Sequence, residues 1–296
     1  MRHKPVLLQE VLDSLAIECG DRVLDATVGS GGHSLAMLQA ADEVELIGLD
    51  ADGEALKRAE EKIAQAGYHN YRLLKSNFRY LPEALKGSGV LKVDKALFDL
   101  GMSSDQLDSS GRGFSFQTNE PLLMTFDDKV TEDTLTAKEI VNNWEASSLQ
   151  DIFRGFGEER YAGRIARAIV EYRQGKIVET TEELAEVISR AVPSAYRRGR
   201  IHPATRCFQA LRMTVNDELT GLRIALEALP QLVRPGRVAV IGFHSLEDRM
   251  VKGRFREWED ESLGRRLNKK PIIAGEQEIA NNPRSRSAKL RTFIFE

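Results

Sequence analysis

The chain has 296 residues, of which 42% are hydrophobic and 29% charged, and its formal net charge is −3 at pH 7. This length is enough for one medium α/β domain that carries a second, smaller one. Its two cysteines, Cys19 and Cys207, exclude a disulfide framework and a cysteine metal site, and no segment has the roughly 20 apolar residues that span a bilayer. We therefore expect a soluble, cytoplasmic protein that binds no metal and no membrane.

The first hundred residues alternate predicted strands with predicted helices. Buried strands are predicted at Arg22–Ala26 and Val44–Leu49, and the glycine loop and helix-length stretch between them complete a βαβ unit. Helical spacing over Asp52–Ala66 precedes two more strands, at Tyr71–Lys75 and Val93–Phe98. This alternation predicts an α/β fold with a doubly wound parallel sheet.

After Leu107 the strand pattern stops, which predicts an inserted helical domain over residues 108–206. Helices are predicted at Thr136–Trp144, Glu158–Gln174 and Thr181–Ala191. One long amphipathic helix is predicted from Phe208 to Leu229, where apolar residues recur every three or four positions.

The sheet is predicted to resume at Gly236–Gly242 and to end with an edge strand at Leu290–Phe295. The predicted sheet domain thus consists of residues 1–107 and 207–296. Within it, residues 249–291 hold 12 Lys/Arg against 6 Asp/Glu. That excess is typical of a face that binds phosphates, but it is equally typical of a solvated tail.

A glycine loop follows the first strand directly, with Gly29, Gly31 and Gly32 where the backbone must turn and approach a ligand closely. Asp50 ends the second strand, and its two oxygens suit the hydroxyls of a ribose. Asp99 ends the fourth strand. These positions predict a cofactor that contains adenosine.

Two residues favour S-adenosylmethionine over a dinucleotide such as NAD. Ser34 stands where the dinucleotide fingerprint requires a third glycine, and the acidic Asp25 precedes the loop. A carboxylate near the loop disfavours a pyrophosphate but attracts a cationic sulfonium.

Nine motifs give the whole chain a resemblance to one family. They are His3–Leu8, Asp25–His33, Asp99–Leu107, Arg112–Phe116, Phe156–Glu159, His202–Arg206, Phe208–Arg212, Val215–Asn216 and Phe243–Arg249. In this order they resemble the RsmH (MraW) family of ribosomal RNA small-subunit methyltransferases.

The resemblance implies a Rossmann-like class I methyltransferase with an inserted helical domain that recognises the substrate. The implied reaction is methylation of the exocyclic N4 of a decoding-centre (P-site) cytidine in 16S rRNA. The sequence leaves open whether the protein is a monomer or homodimer. The residues implied to contact the cofactor are Gly31, Gly32, His33, Asp50, Phe78, Asp99 and Gln106.

The chain departs from the family pattern at two places. Pro121–Asp127 reads Pro-Leu-Leu-Met-Thr-Phe-Asp where the family has Pro-Leu-Asp-Met-Arg-Met-Asp, so a carboxylate and a guanidinium are lost. Gly242 replaces the usual serine, a change expected mainly to loosen the end of a strand.

Cytosine N4 is a weak nucleophile because its lone pair is delocalised into the ring, so an acceptor for its hydrogen is needed. We predict that Asp99 is this acceptor, with the hydroxyls of Ser103 and Ser104 behind it. His244 is predicted to assist the departure of the proton, although a structural role is equally compatible with the sequence.

RNA binding is predicted for two groups of side chains. Phe114 and Phe116 are candidates for stacking on a splayed base, although a single phenylalanine is more often a core residue. The arginines 197, 198, 200 and 206 cluster in sequence around His202 and are predicted, with that histidine, to hold the RNA backbone.

Three other functions stay open at this point. The chain can be a methyltransferase of the same fold acting on another nucleic acid, or an RNA-binding ribosome-assembly factor with altered catalysis. A Rossmann oxidoreductase is disfavoured by Ser34.

Overall fold

A computed structural model describes residues 4–102, 107, 110–233 and 235–296. The chain forms two compact units, residues 1–101 with 219–296 and residues 102–218. The second unit extends beyond the insert predicted at 108–206 because the helix Ala204–Val215 buries Cys207, Phe208 and Leu211 in that unit's core.

The first unit is built on a sheet whose strand order is β3-β2-β1-β4-β5-β7-β6. The strands are β1 (Arg22–Asp25), β2 (Glu45–Asp50), β3 (Tyr71–Lys75), β4 (Lys95–Asp99), β5 (Gly236–Gly242), β6 (Gly264–Arg266) and β7 (Lys289–Phe295). The first five strands pair in parallel, whereas β7 runs antiparallel to β5 and β6. The predicted α/β fold is confirmed, but the prediction that β7 is the edge strand was wrong, since β6 lies outside it.

Successive residues of the central strands enter two different hydrophobic clusters. Leu24 and Phe98 belong to one cluster, and their neighbours Val23 and Leu97 belong to another. A strand whose side chains are buried alternately on both faces is apolar throughout, which explains the continuous apolar runs in the sequence.

One helix precedes the first strand and three more lie between the first four strands. They are α1 (Leu8–Leu15), α2 (Gly32–Leu38), α3 (Gly53–Gln65) and α4 (Leu81–Gly87), with a 3₁₀ turn at Phe78–Tyr80. The carboxylate of Asp52 caps α3 by accepting hydrogen bonds from the backbone N–H groups of Glu54 and Ala55.

The second unit is helical in the part of it that is described, and its helices surround one hydrophobic cluster. They are α5 (Ala137–Asn143), α6 (Ala146–Gly155), α7 (Ala162–Gly175), α8 (Thr181–Ala191), α9 (Ser194–Arg197) and α10 (Ala204–Val215). Helix α8 begins with a reciprocal capping box between Thr180 and Glu183, as its threonine and acidic first turn predicted.

The remaining helices are α11 (Glu218–Leu232), α12 (Ser245–Asp260) and α13 (Glu276–Asn281), followed by a 3₁₀ turn at Pro283–Ser287. The single helix predicted from Phe208 to Leu229 was therefore wrong. Asp217 has a left-handed φ of 47°, and the Asn216 side chain before it accepts a hydrogen bond from the backbone N–H of Phe126. Among the described helices, none is both long and apolar enough to cross a bilayer.

Candidate active site

Three carboxylates lie at the carboxyl ends of adjacent parallel strands. Asp25 ends β1 and pairs in register with Gly48 and Leu97. Asp50 and Asp99 follow these partners by two residues at the ends of β2 and β4. The strand ends thus place all three aspartates at one edge of the sheet, where open α/β sheets bind their ligands.

The loop from β1 to α2 requires its glycines. Gly29 and Gly31 have φ values of 51° and 73°, a region that other residues rarely adopt. A Cβ on Gly31 would lie 2.9 Å from the Cβ of Ala59, so a side chain there would also displace α3. The loop consequently presents bare backbone at the sheet edge.

Asp50 fixes this loop to the second strand. Its Oδ2 accepts a hydrogen bond of 2.7 Å from the backbone N–H of Gly29, and its Oδ1 accepts one of 2.9 Å from that of Asp52. Asp50 therefore stands beside the glycine loop at the edge of the sheet where open α/β sheets bind their ligands.

Asp25 is only 1% exposed and is held by its neighbours. It accepts hydrogen bonds from the hydroxyl of Ser34 (2.6 Å) and the backbone N–H of Thr27 (3.1 Å). Burial raises the pKa of Asp25 to about 6, and these two hydrogen bonds oppose the rise. Ser34 therefore stabilises a buried carboxylate, a contact that the glycine of a dinucleotide loop could not make.

Asp99 is positioned by its own backbone, whose N–H donates to the hydroxyl of Thr27 at 2.6 Å. Its Oδ2 lies 3.6 Å from Nε2 of the buried His33. Its Oδ1 is buried and has no hydrogen-bond partner among the described residues, while 20% of the side chain remains exposed.

The surroundings of Asp99 favour its protonated form. Burial raises the pKa of this carboxyl to about 7, and the negative charges of Asp25 and Glu247 add to the rise. The backbone N–H of Gly101 opposes it by donating a hydrogen bond. A carboxyl that titrates near neutral pH can accept and release protons under physiological conditions.

Phe78 follows β3 in the 3₁₀ turn and packs edge-to-face on Phe98, with 6.0 Å between the ring centroids. On the far side of β4, the ring of Phe243 covers Gly101, where a Cβ would lie 2.6 Å from the ring's Cε2. Aromatic rings thus lie on either side of the strand that ends at Asp99.

His244 is the N-cap of α12. Its Nδ1 accepts a long hydrogen bond of 3.4 Å from the backbone N–H of Glu247, and its Nε2 lies 3.0 Å from that residue's carboxylate. Glu247 in turn accepts from the backbone N–H groups of Phe243 and His244. These contacts favour the structural alternative for His244, and its part in proton departure stays a prediction.

Three predicted site residues, Ser103, Ser104 and Gln106, lie outside the described residues, as does His3 of the first motif. The site can therefore be built only from the strand ends and the glycine loop.

The two candidate stacking residues of the helical unit differ in their surroundings. Phe114 is buried and stacks on Phe126 with 5.6 Å between centroids, which favours the core alternative for this ring. Phe116 is only partly buried, and its ring lies 4.7 Å from that of His202 and 5.0 Å from that of Phe208. Partial burial lowers the pKa of His202, so this exposed ring pair is predominantly neutral at pH 7.

The predicted RNA-binding arginines differ in how they are held. Arg197, Arg198 and Arg200 are exposed. Arg206 is half-buried, and its guanidinium donates to the carbonyl oxygen of Glu158 at 3.1 Å.

The altered loop Pro121–Asp127 is a packed part of the helical unit. The Arg112 guanidinium donates hydrogen bonds to the carbonyl oxygens of Thr125 and Phe126, and Asn216 donates to that of Met124. The loop's backbone is therefore fixed without the carboxylate and guanidinium of the family pattern.

Carboxylates pair with six of the twelve basic residues at 249–291. Asp248, just outside that range, pairs with both Lys289 (3.2 Å) and Arg291 (2.7 Å). Further ion pairs join Arg254 to Glu227, Arg256 to Asp260, Arg265 to Glu296 and Arg266 to Glu259. This segment is folded and only partly paired, which disfavours a solvated tail. Its use as a phosphate-binding face stays a prediction.

The sequence matches known proteins over its full length. Residues 1–295 match the family described as the MraW methylase family. A relative from a Nostoc species, named ribosomal RNA small subunit methyltransferase H, is 49% identical over 290 residues, covering 98% of this chain and 91% of the relative. A protein of the same name from Coprothermobacter proteolyticus is 45% identical over 294 residues, covering 99% and 96%. Among solved structures, an rRNA methylase from Streptococcus thermophilus has a TM-score of 0.38 at 10% identity, covering 98% of this chain and 92% of that one.

Proposed function

We propose, since the chain belongs to the MraW methylase family, that it methylates the exocyclic N4 of a decoding-centre (P-site) cytidine in 16S rRNA. The chain is a methyltransferase whose cofactor is S-adenosylmethionine, and the relatives' name supports the RNA of the small ribosomal subunit as its substrate. The choice of N4 and of this one cytidine is the finer part of the proposal. It rests on the family resemblance, and the unpartnered Oδ1 of Asp99 is compatible with an amine as the methylated group.

The residues at the strand ends fit this cofactor. Gly29 and Gly31 carry no side chain that would keep a ligand from the loop backbone, and the carboxylate of Asp50 beside Gly29 suits ribose hydroxyls. When bound, the cofactor supplies an electrophilic methyl group on a positively charged sulfur. The buried carboxyls of Asp25 and Asp99 favour that positive charge, because each is ionised more readily beside a cation.

Asp99 is suited to receive the proton that N4 loses. Methylation forms one N–C bond while the S–C bond to the transferred methyl group breaks and a neutral sulfide leaves, so the amine must release one proton. The buried Oδ1 of Asp99 has no partner among the described residues and can accept a hydrogen bond from that amine. A pKa of about 7 leaves a substantial ionised fraction at neutral pH, and the proton then passes from N4 to this carboxylate.

The helical unit supplies groups suited to RNA. Arg197, Arg198 and Arg200 are exposed for contact with phosphates, and the ring pair of Phe116 and His202 offers an aromatic surface for a base. Phe114, being buried, is left out of this part of the proposal.

The function is tested by incubating the protein with labelled S-adenosylmethionine and unmethylated small subunits, then mapping the modified nucleotide by mass spectrometry. The expected product is one N4-methylated cytidine. A methyl group on another nucleotide, or only on another nucleic acid, would support the alternative substrate. Cofactor binding without any transfer would support the assembly factor.

The role of Asp99 is tested by Asp99→Ala, which should abolish turnover. Asp94→Ala serves as the control, because Asp94 immediately precedes the same strand at the opposite edge of the sheet. Near-normal methylation by Asp99→Ala would exclude Asp99 as the proton acceptor.

The predicted phosphate contacts are tested by charge reversal at Arg197, Arg198 and Arg200. We expect weaker RNA binding with a smaller dependence on salt, since each lost phosphate contact reduces counterion release. Unchanged affinity and salt dependence would remove these arginines from the RNA-binding surface.

A further inference from the structure

Helix α7 and the residues just before it carry three arginines that the proposed function does not use. Arg160, Arg164 and Arg167 are all exposed. Helix α7 buries Ala162, Ile165, Ala166 and Ile169 in the core of the unit. Arg164 and Arg167 are three residues apart on the opposite, solvent-facing side of the helix.

These arginines differ from other cations of the unit in their lack of ion pairs among the described residues. Within residues 4–102, 107, 110–233 and 235–296, none of the three forms an ion pair with a carboxylate. Other exposed cations of the same unit do so. Lys138 pairs with Glu179, Lys176 with Glu183 and Arg190 with Glu186.

Arg160 links the row of arginines on α7 to the exposed arginines 197, 198 and 200. Its guanidinium lies over the rings of both Tyr161 and Tyr196, 4.7 Å from each centroid. The Tyr196 hydroxyl donates a 2.6 Å hydrogen bond to Glu159, which is 1% exposed. Tyr196 is therefore held against the start of α7, and Arg197 follows it directly.

We propose that Arg160, Arg164 and Arg167 extend the RNA-binding surface along α7 and contact phosphates beyond the target nucleotide. This inference rests on the proposed function, because it requires that the substrate is RNA. RNA fits the row better than other partners because guanidinium groups match phosphate oxygens in a bidentate geometry and bind without sequence preference. The unpaired charges are then neutralised by the RNA backbone.

The test compares two double variants that remove equal charge from the helical unit. Arg164→Gln/Arg167→Gln removes the row on α7, and Lys138→Gln/Arg190→Gln removes two cations already paired with carboxylates. Both leave Arg160 and its aromatic contacts intact. Binding of each protein to unmethylated small subunits is measured as a function of salt concentration.

We expect the α7 variant to bind more weakly and its slope of log K against log salt to fall by about 1.4, because each single-strand phosphate contact contributes about 0.7. The control should keep both the wild-type slope and the wild-type kcat at saturating subunits. If the α7 variant keeps the slope of the control while the wild-type protein methylates small subunits, this inference is wrong and the proposed function stands. If the wild-type protein transfers no methyl group to small subunits, the proposed function itself fails.

Discussion

Replacing Asp99 by asparagine should remove a specific part of the pH dependence of stability. Folding raises the pKa of this carboxyl from 3.8 to about 7, so the folded state holds the proton more tightly than the unfolded chain. The stabilisation from the Asp99 proton is complete below the unfolded value of 3.8, and it is lost as the pH rises through about 7. Asparagine is close in shape and does not titrate.

The size of the effect follows from the two pKa values. Between about pH 5 and about pH 8, the free energy of unfolding of the wild-type protein should fall by about 3 kcal/mol through Asp99 alone. The Asp99→Asn variant should lack that contribution, and at about pH 8 it should be the more stable protein. Groups that do not interact with Asp99 are present in both proteins and cancel in the comparison. Asp25 is coupled to Asp99, so the difference measures the Asp99 proton together with that coupling.

Tryptophan fluorescence during urea unfolding gives the required measurement. Trp258 is buried in the sheet unit that holds Asp99, whereas Trp144 lies in the helical unit. With Trp144→Phe in both proteins, the signal reports only the sheet unit. If wild-type and variant proteins lose the same free energy of unfolding between the two pH values, Asp99 does not have the raised pKa, and its assignment as proton acceptor loses its support.

Three further predictions concern contacts within the sheet unit or within the helical unit. Ser34→Ala should destabilise the sheet unit by about 1–3 kcal/mol in the same urea assay, because buried Asp25 loses a 2.6 Å hydrogen bond; an unchanged midpoint would contradict this. Gly113→Ala should lower thermal stability far more than Gly111→Ala. Both glycines have left-handed φ values, which cost an alanine about 1–2 kcal/mol at either position. Of the two, only Gly113 would place a Cβ 2.2 Å from a backbone oxygen. Equal losses of thermal stability would refute the argument. Tyr196→Phe keeps the ring beneath Arg160 but removes the hydrogen bond to the buried carboxylate of Glu159. RNA affinity should therefore fall while kcat stays unchanged. Unaltered affinity would show that this contact does not position the arginines.

The sequence predicted the parallel strands well because each is a short apolar run with a polar or glycine boundary. It missed β6, since Gly264–Arg266 is three residues long and has no apolar pattern. It also joined α10 and α11 into one helix, because the apolar spacing continues across Asp217. The left-handed turn there depends on a contact from Asn216 to a residue 90 positions away, which periodicity does not reveal.

The ends of the predicted strands located the three aspartates of the candidate site. Their hydrogen-bond partners on other structural elements could not be predicted. The sequence identified Ser34 only as a missing glycine, whereas in the structure its hydroxyl stabilises Asp25. The contact of Glu247 with His244 carries a local signal, because a glutamate three residues after an N-cap is typical of a capping box. The buried position of Phe114 is a tertiary property that the sequence left open.

The order of the strands has a consequence for the way this protein is made. β4 pairs with β5, yet the whole helical unit lies between them in the chain, and β5 in turn pairs along its length with β7. During synthesis, the helical unit is complete before β5 emerges. Until β5 emerges, β4 remains an unpaired edge of the sheet. Such an edge favours aggregation, so the growing chain is most vulnerable between the translation of Asp99 and that of Gly236.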